Sequence, residues 1–336
     1  MFDPKVLFHL ASHFRDTFKR LAAIEDELNR RFSASQEPIR ALILAVTSGE
    51  PLLLVGPPGT GKSRLIRAFC SLVGLLDEEG QAAHHYFEYL LTPFTEPSEL
   101  FGFYDVSKAL GGELERREEG MMQHAKVVYL DEVFNGSSAI LNSILAFMNE
   151  RLFHDRGRRR KVAMQTLFAA TNRIPQAPEL RAVLDRFVLR CSVVNIEARV
   201  EPVRELLQAG WRETYGRHLR PAPALDLFDA LVHLRETIGR LTAKGSLKPL
   251  PNMPFLKGFT QLIQHARQYD LSEMSNRRLV KMTYIMLIHR IYEAVKRDHF
   301  DESLGLSPAE LQLIPRFFLD RFEEQAVQKM RRTVGE

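Results

Sequence analysis

The chain has 336 residues, with 46 Lys and Arg against 42 Asp and Glu, a formal net charge of +4, and 45% hydrophobic and 9% aromatic residues. That apolar content fills a core and excludes a disordered or fibrous chain, while the length suits two domains. Cys70 and Cys191 form neither a disulfide framework nor a zinc spacing, and no apolar run reaches the ~18 residues of a membrane span.

The first twenty residues scatter charges through an apolar pattern and so lack a signal-peptide core; a cytoplasmic protein with no membrane insertion is the expectation. From residue 4 to 32, Leu7, Leu10, Phe14, Phe18, Leu21, Ile24 and Leu28 recur at helical spacing and predict one amphipathic helix. A second helix runs from Pro38 to Val46, and Ser48-Gly49-Glu50 ends it. Pro51 to Val55 is a short continuous apolar run, as expected of a buried parallel strand. Further strands are predicted over Tyr86 to Leu91, Lys126 to Leu130, Gln165 to Ala170 and Phe187 to Val194, mostly with helices between them. This alternation predicts an α/β domain with a parallel sheet over residues 1–196. From about residue 197 only helical patterns remain, predicting a smaller α-helical domain over 197–336. Within it Arg277 to Arg297 reads as one helix, and Ser307-Pro308-Ala309-Glu310 as a capped helix start.

Gly56-Pro57-Pro58-Gly59-Thr60-Gly61-Lys62-Ser63 matches G-x-x-x-x-G-K-[ST], the phosphate-binding loop, and lies between an apolar strand and an amphipathic helix from Arg64 to Val73. The glycines let backbone N–H groups and a helix N-terminus close around phosphate. Lys62 is suited to the β- and γ-phosphates and the Ser63 hydroxyl to Mg²⁺. The strand Val127 to Leu130 ends in Asp131 and Glu132. An acid at the carboxyl end of a parallel strand is placed to hold the Mg²⁺ of a nucleotide, and the next can polarise an attacking water. Asn172 closes a later strand and can orient that water, touch the γ-phosphate or cap a helix. Arg186 precedes the last strand, far from the phosphate loop; it either pairs with Asp185 at the surface or reaches the γ-phosphate on a neighbouring subunit. The histidines form no H-E-x-x-H or cysteine-paired site, so no metal beyond Mg²⁺ is expected.

Taken together, Gly56 to Ser63, the LDEVF segment from Leu130, Ala139 to Phe153, Ala170 to Asn172 and Leu184 to Phe187 resemble the MoxR family of AAA+ ATPases, closest to its RavA-like branch, over roughly residues 15 to 325. The resemblance implies a P-loop AAA+ sheet domain with an α-helical lid, binding ATP and Mg²⁺ and working as a hexameric ring with nucleotide at subunit interfaces. It assigns Asp131 and Glu132 as Walker B acids, Asn172 as sensor 1, Arg186 as the trans-acting finger, and either Arg277 or Arg278 as sensor 2. Phe101 to Gly120 resembles the helix-2 insert of this clade, and Leu152 to Ala163 the hairpin ahead of sensor 1, both facing the pore in related rings. The resemblance further implies a chaperone-like remodelling task with a von Willebrand factor A domain partner. The basic run Arg156 to Lys161 leaves a nucleic-acid motor as an alternative, and a poorly hydrolysing ATP switch is another. Asn135-Gly136-Ser137 departs from the family pattern, and the C-terminal region of the longer RavA-type proteins is not matched.

Overall fold

The computed structural model describes residues 2–76, 85–105, 107–108, 115–155, 158–175, 177–216, 225–248, 252–298, 300–301, 303–322 and 324–333. Helices α1 (Pro4–His13), α2 (Arg15–Arg31) and α3 (Gln36–Ser48) lead into strand β1 (Leu52–Val55) and helix α4 (Lys62–Leu72). There follow β2 (Tyr86–Leu90), α5 (Pro97–Phe101), β3 (Val127–Asp131), α6 (Ser138–Glu150), a hairpin of β4 (Leu152–Asp155) and β5 (Arg158–Lys161), β6 (Thr166–Thr171), α7 (Arg181–Arg186) and β7 (Leu189–Ser192). The remainder is helical: α8 (Val200–Tyr215), α9 (Leu225–Ala243), α10 (Met253–Gln268), α11 (Asn276–Lys296), α12 (Leu313–Phe317) and α13 (Glu324–Thr333).

The five main strands form one parallel sheet in the order β2-β3-β6-β1-β7. Alternate side chains leave opposite faces of a strand. Leu52, Leu54, Val127, Tyr129, Phe168, Leu189 and Cys191 therefore join α1 to α4 and the C-terminal helices in one core. Leu53, Val128, Leu130, Leu167 and Ala169 meet α5, α6 and α7 in the other. The fold is the expected α/β sheet followed by a helical region.

Several expected boundaries shift for local reasons. The helix predicted over residues 4 to 32 is two helices, because Phe14 leaves helical geometry at φ −102° and ψ 19°. The bend lets α1 and α2 each pack on α11. Asp131 completes the β3 ladder opposite Leu90, one residue beyond the predicted strand. At the last strand only Leu189–Ser192 pair with β1, since Phe187 closes α7. The capped start at Ser307 opens a 3₁₀ turn, Pro308–Gln312, rather than an α-helix, although the reciprocal bonds of Ser307 and Glu310 do form. Part of the predicted insert (106 and 109–114) and of the basic hairpin (Arg156 and Gly157) lies outside the described residues.

Helices α2, α3 and α11 are joined by a buried polar network. Glu25, 2% exposed, takes 2.7 Å bonds from Arg40 Nε and Lys296 Nζ and a third from the Tyr292 hydroxyl, and Arg40 also pairs with Glu293. Burial pushes the Glu25 carboxyl up, but the Arg40 charge and the bonds from Lys296 and Tyr292 outweigh it and hold it below the usual glutamate value. A depressed folded-state value stabilises above the unfolded pKa, about 4.3, and the contribution is lost as pH falls through the folded value. Replacing one partner of a buried pair strands the others. We predict that Glu25→Gln costs about 3 kcal/mol at pH 7. Urea midpoints of wild type and variant should then converge as the pH is lowered below about 4.

Candidate functional site

The loop after β1 has no lateral freedom. Gly56 N–H donates to the Thr171 carbonyl on β6 at 3.1 Å, while Val193 N–H donates to the Val55 carbonyl at 2.7 Å from the β7 side. A Cβ on Gly56 would lie 1.9 Å from the Val193 carbonyl oxygen, so only glycine fits there. Gly61, at φ +83°, turns the chain into α4 in the left-handed region that glycine adopts without strain. The loop is thereby held at the carboxyl ends of β6, β1 and β7, where open parallel sheets bind ligands.

Lys62 is 7% exposed, and its ammonium group bonds the Gly56 carbonyl at 2.6 Å, the Pro57 carbonyl at 3.0 Å and Asn172 Oδ1 at 3.4 Å. Burial lowers its pKa, with Asp131 and Glu132 opposing the shift. Ser63 Oγ donates to Asp131 Oδ2 at 3.0 Å, and the buried Tyr129 hydroxyl donates to Ser63 Oγ, also at 3.0 Å. Asp131 Oδ1 accepts the Glu132 N–H at 3.0 Å. Glu132 itself sits at φ +49°, a strained value for a side-chain-bearing residue of the kind found at functional sites. Its side chain and Asn172 line a cleft of about 790 Å³ with Thr171 and Arg173. Lys62 and Ser63 at the start of α4, Asp131 and Glu132 at the end of β3 and Asn172 after β6 thus come from three segments to one spot. Ser63 and Asp131 supply two hard oxygen atoms side by side, the donor type that suits Mg²⁺. Among the described residues there is no cluster of three or more His, Cys, Asp or Glu that could hold another metal.

The three arginines go elsewhere. Arg186 lies before the amino end of β7, whereas the phosphate loop leaves the carboxyl end of the parallel β1, its neighbour. Their separation therefore comes from opposite strand ends and not from sheet order. Arg186 Nη1 lies 3.7 Å from Asp185, and Arg277 Nη2 lies 3.1 Å from the same carboxylate, whose other oxygen accepts the Ser275 hydroxyl at 2.8 Å. Arg186, 22% exposed, and Arg277, 45% exposed, thus share one acid that is itself 25% exposed. Arg278 does not join them. It is 2% exposed and donates to Ser272 Oγ at 3.0 Å, Asp320 Oδ1 at 2.9 Å and the Phe318 carbonyl at 2.7 Å. Burial pushes its guanidinium down to about 10, with Asp185 opposing. Asp320 also pairs with Arg190 of β7, which is 1% exposed.

One part of the site had no signature in the sequence. A cavity of about 520 Å³ opens beside Gly59, Thr60 and Gly61, walled by the α2–α3 turn at Phe32 and Pro38, by Val193 and Ile196 after β7, and by Leu206 and Gly210 on α8. Its walls come from three segments, none with a motif. A nucleotide with its phosphates on the loop would place its base here.

A parallel sheet of this order, with a phosphate loop after the strand next to one edge and acids at the end of its neighbour but one, defines the P-loop AAA+ class. The chain belongs to the MoxR family of AAA+ ATPases: residues 19–230, more than half its length, match the model of the MoxR domain in the MoxR-vWA-beta-propeller ternary systems. It is 36% identical over 179 residues to one uncharacterized protein of Methanocaldococcus jannaschii and 35% identical over 180 residues to another, each match covering 53% of this chain. A structural protein of Acidianus two-tailed virus is 29% identical over 184 residues, 54% of this chain. The matches span 46%, 45% and 29% of those relatives, less than half of each. A solved structure from Cytophaga hutchinsonii, provisionally described as an ATPase, shares the fold, with a TM-score of 0.62 at 14% identity, covering 98% of this chain and 97% of its own. No helix among the described residues is long and apolar enough to cross a membrane.

A Cβ on Gly210 meets nothing within 4 Å. We therefore predict that Gly210→Trp folds normally by circular dichroism yet binds a fluorescent ATP analogue at least ~10-fold more weakly, by filling space the base needs.

Proposed function

We propose that the protein is a Mg²⁺-dependent ATPase whose active site is completed by a second copy of the chain in a ring, taken here as a hexamer. The observation that carries this reading is the division of the site's residue types between two ends of one molecule. Lys62, Ser63, Asp131, Glu132 and Asn172 converge at the phosphate loop. Arg186 and Arg277 converge on Asp185 at the other end of the β7 side. An arginine that cannot serve its own nucleotide is suited to serve a neighbour's. In this reading residues 1–196 are the nucleotide-binding domain and 197–336 the lid.

When ATP is bound, Gly56 to Ser63 cradle its phosphates and Lys62 exchanges the loop carbonyls for phosphate oxygens. Ser63 and Asp131 would hold Mg²⁺, which would neutralise charge on the phosphates. Glu132 accepts a proton from the attacking water, and Asn172 orients that water. Arg186 of the adjoining copy stabilises the charge that develops on the transferred phosphoryl group. We assign the sensor 2 role to Arg277, because releasing Arg278 would break its bonds to Ser272, Asp320 and Phe318.

The family's description supports the partner we propose, a protein with a von Willebrand factor A domain acting in one system with a β-propeller component. The task we propose is chaperone-like remodelling of a client complex in the cytoplasm. Beside the nucleotide cavity α8 exposes Leu207, Trp211 and Tyr215, an apolar surface of the kind partners cover. On the basic hairpin, Arg160 pairs with Glu118 and lies over the Phe153 ring, which commits part of that charge inside the chain and favours a protein client over nucleic acid.

Glu132→Gln is expected to bind ATP normally while turnover falls by roughly 10²-fold or more. Arg186→Ala is expected to bind ATP equally well and to lose ~10³-fold in turnover, with wild-type turnover per subunit rising with protein concentration until assembly is complete. Phosphate release measured across a concentration series checks both. Wild-type turnover no faster than that of Glu132→Gln would instead favour an ATP switch.

A further inference from the structure

Strand β3 reads Val-Val-Tyr-Leu-Asp, and four of its five side chains are fully buried. A phenol in such a strand needs a reason, since its hydroxyl must find a partner in the core. The neighbouring position on β6 is Phe168, equally buried on the same face of the sheet, so the core there accepts an aromatic ring without a hydroxyl. The Tyr129 hydroxyl is nevertheless satisfied, and by the phosphate loop's own serine at 3.0 Å. Because Ser63 spends its own proton on Asp131, Tyr129 is the donor in this bond.

A serine hydroxyl has one proton and two lone pairs. Here the proton points to Asp131 Oδ2 at 3.0 Å, and one lone pair receives the Tyr129 O–H. One lone pair is left, its direction set by the other two bonds. We propose that Tyr129 is a positioning residue of the nucleotide site: its hydroxyl fixes the rotation of the Ser63 hydroxyl so that the remaining lone pair faces the Mg²⁺ of bound ATP. The inference rests on the MgATP reading above. Without Tyr129 the bond to Asp131 alone holds the Ser63 hydroxyl, which turns away from it more often, and cation binding pays for the lost alignment. One hydrogen bond of this kind corresponds to roughly 3- to 10-fold in an equilibrium constant.

The test is binding of a fluorescent ATP analogue to the full chain, with EDTA and then across a Mg²⁺ titration. It compares wild type, Tyr129→Phe, Ser63→Ala and the double variant, with thermal unfolding of each recorded in parallel. The expected result is that Tyr129→Phe leaves affinity in EDTA unchanged and raises the Mg²⁺ concentration for half-maximal tightening ~3- to 10-fold, and that it adds nothing in the Ser63→Ala background. A role confined to packing would lower the unfolding temperature and change the double variant by as much as the single one. The proposal is overturned if the Mg²⁺ midpoint does not move in Tyr129→Phe, or if the two substitutions act independently. Should Mg²⁺ leave wild-type binding unchanged, the MgATP reading itself fails and this inference falls with it, a result distinct from either of the others.

Discussion

The structure depends on where β1 sits. Flanked by β6 on one side and β7 on the other, it delivers the phosphate loop to a place already bounded by Thr171 and Val193, and the 1.9 Å gap available to a Cβ at Gly56 shows how little room is left. Because the sheet is parallel, the ends of β3 and β6 arrive at the same edge. Asp131 reaches Ser63 across the sheet, and Asn172 reaches Lys62, with no further loop needed to carry them. The chemistry proposed for this site is a consequence of strand order, with side chains supplying only the last few ångströms.

The opposite end is organised by two carboxylates. Asp185 gathers Ser275, Arg277 and Arg186, while Asp320 holds Arg278 of α11 and Arg190 of β7. The buried pair ties the edge strand to the helical region, and the half-buried Asp185 group leaves two guanidinium groups at the boundary of the same elements. Both groups meet along α11, which also packs on α1 and is joined to α2 and α3 by the Glu25 network. A shift of α11 would therefore be felt at the arginine surface and at the helices beside the nucleotide cavity together. In the proposed ring this is the route by which one copy's nucleotide state would reach the next.

The site's local parts were legible in the sequence and its long-range parts were not. The phosphate loop, the acids after β3 and Asn172 after β6 each follow an apolar run, so that one short segment carries both the strand and the residue at its end. The α/β order and the helical second half followed from periodicity. The break at Phe14 was hidden because the apolar spacing continues through it; only packing on α11 makes the bend useful. The fate of Arg278 was hidden because Asp320 lies 42 residues away, and nothing in Ser275 to Arg278 says which guanidinium turns inward. The cavity beside the phosphate loop was hidden for the same reason, its walls being three segments without a motif. Tyr129 was passed over inside a strand read as uniformly apolar, although its polar tip was a signal that could have marked it.

The central claim is that one site is built from two copies of the chain. Its most direct test is to mix Lys62→Ala, which retains Arg186 but cannot hold phosphate, with Arg186→Ala, which retains the phosphate loop but offers no arginine. Each variant alone should be nearly inactive. The account predicts that ATP hydrolysis reappears on mixing and peaks at intermediate ratios, because some interfaces then pair an intact loop with an intact Arg186. Activity that never exceeds the sum of the two separate variants, with mixed assembly confirmed by subunit exchange, would contradict it.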